Sequence, residues 1–275
     1  MSLLRINNNI SALNTQRNLN VNSFNLSKTL QRLSSGYRIN VAADGPADLI
    51  ISEGLRGQLS GMKAAIRNNQ EAANFVGIAE GALQEVSDLL TQMRALSVHA
   101  ANRGVVSQAQ ANADNQEFVN ARLAINRIEM VTRFAGDRVF TGVSRTFQVN
   151  ERNTANDQVP LTVPHVSAAS LGLVIATISA LANAQTAMSQ LSTAITTINT
   201  LRGNLGAFQK NTLQTNINSL SVALENVTAT ESYIRDTNMA EETSQYTKNQ
   251  ILVQAGVSVL AQANVASQSV LQLLK

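Results

Sequence analysis

The clearest pattern in this chain is a series of apolar or small residues, spaced alternately four and three positions apart, between residues 72 and 100. Residues that recur at this spacing line one face of a helix and hold it against a partner helix. The series comprises Ala72, Val76, Ala79, Leu83, Val86, Leu90, Met93, Ser97 and Ala100. No proline occurs between Pro46 and Pro160. The spacing therefore predicts one helix from about residue 47 to residue 101, roughly 80 Å long.

Shorter elements follow this helix. A second helix is predicted from the repeat of Phe118, Ala121, Ile125 and Ile128 at intervals of three and four. The period then changes, because residues 146–149 and 159–163 contain alternating apolar and polar side chains on either side of a polar segment at 153–157. Alternation around a polar turn is typical of a β-hairpin. This hairpin is the one strand region that the sequence predicts.

Helical spacing returns in the second half of the chain. One series comprises Leu181, Ala184, Met188, Leu191, Ile195 and Ile198. After a shift of phase near Gly203 and Gly206, another comprises Leu213, Ile217, Leu220, Leu224, Val227, Glu231 and Ile234. The series at 72–100 and the series at 213–234 have the same period and lie on opposite sides of the hairpin. We therefore expect these two series to pack against each other as antiparallel helices.

The two ends of the chain are apolar in a different way. The C-terminal stretch from about 250 to 274 contains two apolar stripes, and a helix that is apolar around most of its circumference must be buried on several sides. Within one chain only the N-terminal segment is left to pair with it, so further copies must cover the rest. The sequence therefore predicts self-assembly through both ends. The expected packing residues are Ile6, Ile10, Leu13, Leu252, Val253, Val257, Val259, Leu260, Val270, Leu271, Leu273 and Leu274.

Composition favours thin layers of packed helices over a deep globular core. The chain of 275 residues has no cysteine, no tryptophan and only 4% aromatic residues. Its net charge is +3 with both signs interspersed, unlike the concentrated basic surface of a nucleic-acid binder. Residues 1–43 carry basic side chains and no acidic one. On composition this segment fits a transit peptide and a partner-facing helix about equally well, and its basic content is modest for a third alternative, a membrane-surface helix. No apolar run is long enough to cross a membrane.

Candidate catalytic chemistry is sparse. The two histidines, His99 and His165, do not have the spacing of metal ligands. We expect His99 to be a partly exposed helix residue. Glu241 and Glu242 are adjacent, and neighbouring side chains on a helix point in different directions, so a solvated or helix-capping role is expected for both. The sequence therefore predicts no enzyme activity and no cofactor.

Long ordered motifs at both ends resemble those of bacterial flagellins. In the first half these are Ile6–Asn14, Leu33–Asn40 and Ala42–Asp44. In the second half they are Leu205–Gln209, Ser219–Thr228, Ser232–Asp236, Met239–Glu242, Lys248–Leu252, Gln254–Ala255, Leu260–Asn264 and Gln268–Lys275. The resemblance covers nearly the whole chain. The stretch 134–172 resembles only the family's hairpin and return loop, so the chain looks like a minimal member without outer variable domains.

The resemblance implies a mainly α-helical fold: a long antiparallel coiled-coil or bundle rod with one β-hairpin, and terminal helices paired into an inner domain. The implied divisions are 1–46 for the inner helix and spoke, 47–172 and 173–235 for the outer domain, and 236–275 for the inner C-terminal helix. It also implies a subunit that self-assembles into the extracellular flagellar filament and is exported unfolded by the flagellar type III apparatus. That route needs no cleaved signal, which removes the transit-peptide interpretation. The implied partners are further copies, an export chaperone, and junction and cap proteins.

Two further expectations come from the resemblance. Helix-breaking residues would form a flexible spoke between the inner and outer domains; they are Ser34, Ser35, Gly36, Asp44, Gly45 and Pro46. Some flagellins are sensed by a Toll-like innate receptor. Leu96 matches a contact leucine for that receptor, whereas Gln92 replaces an arginine, so weaker detection is expected. A hook–filament junction protein is the alternative function, because it has similar helical ends.

Overall fold

The computed structural model describes residues 8–175 and 177–273, with side chains as far as residue 265. Within these residues the fold is mainly α-helical with small antiparallel β-hairpins, which confirms the predicted fold class. The helices are α1 (Ile10–Ser35), α2 (Pro46–Ala101), α3 (Gln108–Val131), α4 (Leu181–Ala207), α5 (Thr215–Arg235) and α6 (Met239–Leu273). The strands are β1 (Arg133–Phe134), β2 (Asp137–Arg138), β3 (Ser144–Gln148) and β4 (Gln158–Thr162).

The helix boundaries follow local chemistry. The Asn9 side chain accepts a hydrogen bond from the Ala12 amide at the start of α1, and Gly36 ends that helix in the left-handed conformation, with φ 76°. Pro46 opens α2, where its missing N–H leaves no helical hydrogen bond unmade. At α3, Ser107 and Gln110 form a reciprocal capping box.

The described residues divide into two compact units, one drawn from the ranges 8–57 and 226–273 and the other from 58–175 and 177–225. The division lies inside α2 and inside α5. The boundaries expected from the resemblance, after residues 46, 172 and 235, stay predictions.

One continuous apolar cluster forms the core of the unit at 58–225. Helix α2 contributes to it every apolar member of the series predicted from Ala72 to Ala100, and Ser97, the polar member, is buried as well. From the expected α2 and α5 packing residues, Val76, Leu83, Val86, Leu90, Met93, Leu213 and Leu220 are buried, whereas Ile217, Leu224 and Val227 are only half-buried.

The expected pairing of the 72–100 series with the 213–234 series is wrong. Helix α4 packs against that part of α2, and Arg202 of α4 forms an ion pair with Glu80 at 2.8 Å. Because α4 follows the return segment directly, it covers the series before the chain reaches α5. Helix α5 instead lies beside an earlier part of α2, where its Leu220 lines a cleft together with Met62.

The phase shift near Gly203 and Gly206 corresponds to a π-helical segment at Phe208–Gln214. Leu205 and Leu213 are both buried, although they are eight positions apart and a heptad repeat would place them seven apart. A π turn accommodates one additional residue. The segment therefore keeps the apolar face of the helix in phase from α4 into α5.

The main hairpin joins β3 to β4 and packs on α2. Strand β3 pairs with β4 in antiparallel register, from Ser144 opposite Thr162 to Gln148 opposite Gln158. The buried Asn69 side chain donates to the Val149 carbonyl at 2.8 Å. This confirms the predicted hairpin. The shorter pair, β1 and β2, turns through Ala135, whose φ is 50°.

Candidate assembly surface on helices α1 and α6

Helices α1 and α6 pair along a heptad face. On α1 the heptad positions that are buried or half-buried are Ala12, Thr15, Leu19, Asn22, Leu26, Thr29 and Leu33, and the long side chains of Lys28 and Arg32 are half-buried beside them. On α6 they are Glu242, Tyr246, Asn249, Val253, Gly256, Leu260 and Ala263. The Asn9 side chain donates to the Ala263 carbonyl at 2.9 Å, and at the other end the Arg32 guanidinium lies 3.7 Å from the Glu242 carboxylate. The two helices are therefore antiparallel.

Apolar side chains remain exposed on the outer faces of this pair. On α1, Ile10 is 59% and Leu13 62% exposed. On α6, Val257 and Val259 are exposed, as is Leu252 to a smaller extent. These residues do not contribute to the α1–α6 contact, because they lie outside the buried heptad positions. The intramolecular pair therefore leaves much of the apolar surface uncovered.

The expected packing residues fall into three groups. Val253 and Leu260 are half-buried and belong to the contact between α6 and α1. Ile10, Leu13, Leu252, Val257 and Val259 are exposed. Ile6, Leu274 and the side chains of Val270, Leu271 and Leu273 lie outside the described residues. Their role in filament packing stays a prediction.

Glu242 does not have the solvated or capping role expected from the sequence. Its residue is 8% exposed, and its carboxylate faces Arg32 of α1. The start of α6 is capped by Asn238, whose side chain accepts from the Ala240 amide at 3.1 Å. The prediction was wrong because the heptad position of Glu242 turns it towards α1, whereas Glu241 is exposed.

Hydrogen bonds centred on Asp44 hold the loop between α1 and α2. Its carboxylate lies 2.7 Å from the Lys28 ammonium and accepts from the amides of Asn40 and Val41, each at 3.2 Å. The side chain is only 7% exposed. The hydrogen bond from Lys28 lowers the pKa of Asp44 and outweighs burial, which acts in the opposite direction; the two backbone amides also lower it. Asp44 is therefore a carboxylate at neutral pH.

The other expected spoke residues surround this group. Ser34 and Ser35 end α1, Gly36 follows it, and Gly45 precedes Pro46 at the start of α2. The Ser35 hydroxyl accepts from the Asn40 side chain at 2.8 Å. Ile39, in the same loop, is 1% exposed. These contacts tie the loop to α1 and α2, and its flexing between subunit states stays a prediction.

Two arginines link this loop to the end of α5. Arg38 donates to the Ile234 carbonyl at 2.7 Å and pairs with Asp48 at 3.0 Å. Arg235 pairs with Glu53 at 2.6 Å, and its guanidinium lies over the Tyr37 ring, 5.0 Å from the centroid. Hydrogen bonds from Arg235, and then from Arg56, hold the pKa of Glu53 below its ordinary value. The two halves of the chain are thus cross-connected within one unit.

The expected receptor contacts lie on α2. Gln92 is exposed and donates to Glu117 at 2.6 Å, whereas Leu96 is partly buried against the core. The nearby His99 is partly exposed, as expected, and its ring lies 2.6 Å from Asp114.

A polar stripe on α3, which was not predicted from the sequence, binds the return segment after β4. Its side chains bond mainly to main-chain groups: Asn115 accepts from the Ile178 amide, Arg122 donates to the Ile175 carbonyl, Asn126 accepts from the Ala168 amide, and Glu129 pairs with the His165 ring. The stripe residues are spaced seven, four and three apart, so they share one helical face. This polar periodicity is the signal that could have identified them.

Within the described residues, no group of three metal-ligating side chains could hold an ion. A search of the same residues finds no helix with the length and hydropathy needed to span a membrane. The exposed apolar faces of α1 and α6 are therefore the feature that most needs a functional explanation.

Comparisons with known proteins identify the family. Residues 6–145 match the bacterial flagellin N-terminal helical region, and residues 188–274 match the bacterial flagellin C-terminal helical region. The chain is 39% identical to a flagellin of Halalkalibacterium halodurans, over 98% of this chain and 99% of the relative. It is 37% identical to a flagellin of Bacillus subtilis, over 99% of this chain and 100% of the relative.

Further relatives extend the agreement. The flagellar filament 33 kDa core protein of Treponema phagedenis is 37% identical, over 98% of this chain and 99% of the relative. The crystal structure of Bacillus cereus flagellin is similar with a TM-score of 0.50 and 26% identity, over 56% of this chain and 88% of that chain. These relatives are flagellins and filament core proteins, which does not favour the junction-protein alternative. The chain belongs to the flagellin family.

Proposed function

We propose that this flagellin polymerises through the exposed apolar faces of α1 and α6, which neighbouring subunits cover in the filament. A flagellin is a structural subunit of the extracellular flagellar filament, and motility, secretion and export follow from the family. The observation that carries the proposal is the exposure of Ile10, Leu13, Val257 and Val259 on a helix pair that is already formed. Apolar surface of this kind gains free energy when it is removed from water.

Polar substitutions on these faces test the proposal. Leu13→Gln and Val259→Gln place a good helix former at positions outside the contact between the two helices. Each is expected to reduce the yield of filaments seen by electron microscopy, while circular dichroism of the subunit stays unchanged. Val222→Gln is the matched control, because Val222 is 60% exposed on α5, outside this pair. Normal filaments from both α1–α6 variants would refute the proposal.

The C-terminal end is proposed to belong to the same interface. Removing residues 268–275 deletes Val270, Leu271, Leu273 and Leu274, which were expected to pack in the filament. The truncated chain is expected to keep the core of the unit at 58–225 and to lose polymerisation. Filaments of normal length from the truncated chain would argue against an interface at this end.

An inner domain built from the paired terminal helices and a non-enzymatic role complete the proposal. The family is that of a structural protein, and the expected export chaperone, junction and cap proteins are partners by analogy with it. A junction protein would cap a filament and not propagate it. Long filaments from the purified chain alone therefore favour the flagellin role, whereas the absence of filaments would favour the alternative.

Weak detection by a Toll-like innate receptor is proposed from Gln92 and Leu96. The Gln92 side chain is exposed and bonded to Glu117, and it lacks the planar charged fork of arginine. Gln92→Arg is expected to raise receptor activation in a cell reporter assay, and Gln92→Lys should raise it less. Equal activation by the parent chain and Gln92→Arg would refute this proposal.

A further inference from the structure

The apolar contacts between α1 and α6 do not by themselves fix one register. Leu19, Leu26 and Leu33 occupy positions seven apart on α1, and Val253 and Leu260 are seven apart on α6. A slip of one heptad would move α6 by about 10 Å along α1 and still place apolar residues against leucines. Other features must therefore select the observed register.

The first feature is a notch at Gly256. It is the one glycine of α6, and it lies against the Leu19 side chain. A Cβ atom added at Gly256 would lie 3.2 Å from Leu19 Cδ1, which is closer than ordinary van der Waals contact. The leucine thus fills the space that the missing side chain leaves. A slip of one heptad would place Asn249 or Ala263 opposite Leu19, where a Cβ atom would take up the space that glycine leaves open and the leucine would have to shift.

The second feature is the charge at the other end of the pair. Glu242 is the one charged residue among the described heptad positions of α6 that face α1, and it is 8% exposed. Its carboxylate lies 3.7 Å from the Arg32 guanidinium. A slipped register would leave this carboxylate buried away from its cation, which is strongly unfavourable. Buried polar groups at single heptad positions are known to specify register in coiled coils.

We infer that Leu19 with Gly256, and Arg32 with Glu242, are the register-determining residues of the α1–α6 pair. They fix how far Leu13 of α1 stands from Val259 of α6, and so set which apolar faces a neighbouring subunit meets. This role rests on the proposed assembly through those faces. The partner it serves is a second copy of this chain, whose matching faces require one register in every subunit.

A disulfide reports the register directly, because the chain has no cysteine of its own. Ala12→Cys and Ala263→Cys introduce one thiol on each helix. Ala12 lies seven residues before Leu19 on α1, and Ala263 lies seven residues after Gly256 on α6, so the antiparallel register brings the two positions opposite each other. A disulfide requires Cα atoms within about 7 Å, so a slip of about 10 Å prevents it. Filaments are assembled under reducing conditions and then oxidised. Mixing ¹⁵N-labelled with unlabelled subunits separates bonds within a chain from bonds between chains by mass spectrometry.

Moving the bulky side chain from one helix to the other is the decisive comparison. In the two-cysteine background, Gly256→Leu is expected to lower the disulfide yield by about tenfold, and adding Leu19→Ala should restore it to within about twofold. Gly256→Ala should lower it less. Gly81→Ala is the matched control, since an added Cβ there meets nothing within 4 Å, and it should leave the yield unchanged. Where a variant forms no filaments, the soluble full-length chain is oxidised and compared in the same way.

The inference is overturned if Gly256→Leu cross-links as well as the parent, if Leu19→Ala gives no recovery, or if the parent forms no disulfide within the chain. Electron microscopy of the same samples keeps the two proposals separate. A correct disulfide in filaments that tolerate both Leu13→Gln and Val259→Gln would reject the assembly surface and keep the register residues. Loss of filaments in Leu13→Gln, together with normal cross-linking of Gly256→Leu, would keep the assembly surface and reject the register residues.

Discussion

Replacing Asp44 by asparagine tests whether this carboxylate holds the loop between α1 and α2. Asparagine has the same shape and can still accept from the Asn40 and Val41 amides, which lie 3.2 Å from the native oxygen. It cannot form the ion pair with Lys28, whose ammonium lies 2.7 Å from the native carboxylate. The substitution therefore removes charge and leaves the local packing intact.

The expected loss is about 1–2 kcal/mol of local stability. A hydrogen bond to a charged group contributes about 1.5–3 kcal/mol, and solvent screening lowers this because the Lys28 side chain is 36% exposed. A loss of this size raises the population of the open loop by a factor of about 5–30. Hydrogen-exchange mass spectrometry of a peptide covering residues 37–45 should show a matching drop in protection.

The pH dependence follows from the direction of the pKa shift. The Lys28 hydrogen bond lowers the pKa of Asp44 in the folded loop. The folded loop is therefore more stable, relative to the open loop, when Asp44 is ionised than when it is protonated. The stabilisation is present above the open-state pKa of about 3.9 and is lost as the pH falls through the lower, folded pKa. Protection corrected for intrinsic exchange should be constant between about pH 7 and pH 5 and fall only below about pH 4. Asp44→Asn should abolish this dependence.

Two controls decide whether the charge pair is responsible. In a Lys28→Met background, Asp44→Asn should cost less, because the ion pair is already absent. Asp137→Asn, at a side chain 75% exposed and 3.6 Å from Arg145, should change stability by less than about 0.5 kcal/mol. Protection of the loop that changes less than about twofold in Asp44→Asn would refute the reasoning.

Two substitutions and one deletion address the unit at 58–225, and urea unfolding measures each. Ala135→Asn should stabilise by about 0.5–1 kcal/mol, because φ is 50° there and asparagine tolerates this conformation better than alanine; a loss of stability would contradict this. Leu83→Ala should cost about 2–5 kcal/mol in the fully buried core, against under about 1 kcal/mol for Leu123→Ala at a 56% exposed site. Deleting Lys210 should be tolerated, because it removes the additional residue of the π segment and restores the heptad spacing. Deleting Thr196 should destabilise the unit strongly, because it turns the later residues of α4 out of phase. Equal effects of the two deletions would exclude this explanation.

The sequence was sufficient to predict most helices, because their heptad spacing reflects burial on one face. Every residue of the 72–100 series is buried, and α2 runs over Pro46–Ala101 where a helix from about 47 to 101 was predicted. The pairing of that series was wrong because several series share one period, and period alone does not say which helix reaches a given face first. Chain order decides this: α4 follows the return segment and takes the position that α5 was expected to occupy.

The site was harder to predict because its specific contacts are polar. From the sequence, Glu242 and its neighbour Glu241 were both expected to be solvated. Only the packing of α6 against α1 shows that Glu242 is buried. The Asp44 contacts depend on a 3₁₀ turn at 42–44 that no periodicity reveals. The α3 stripe bonds chiefly to main-chain groups, so the sequence of its partner segment carries no matching signal. Apolar periodicity locates helices, and polar specificity has to be found in three dimensions.

Assembly requires two things of the α1–α6 pair. The pair must leave apolar surface for neighbouring copies to cover, and it must hold one register. A helix pair with apolar side chains on its outer faces could bind neighbouring copies in many ways, because apolar contact is not directional. Ile10 and Leu13 on one helix and Val257 and Val259 on the other form a defined pattern only when α1 and α6 are held at one axial offset. A glycine notch and one partly buried ion pair can fix that offset without adding apolar surface. The outer faces then supply the driving force for assembly, and the inner seam determines its geometry.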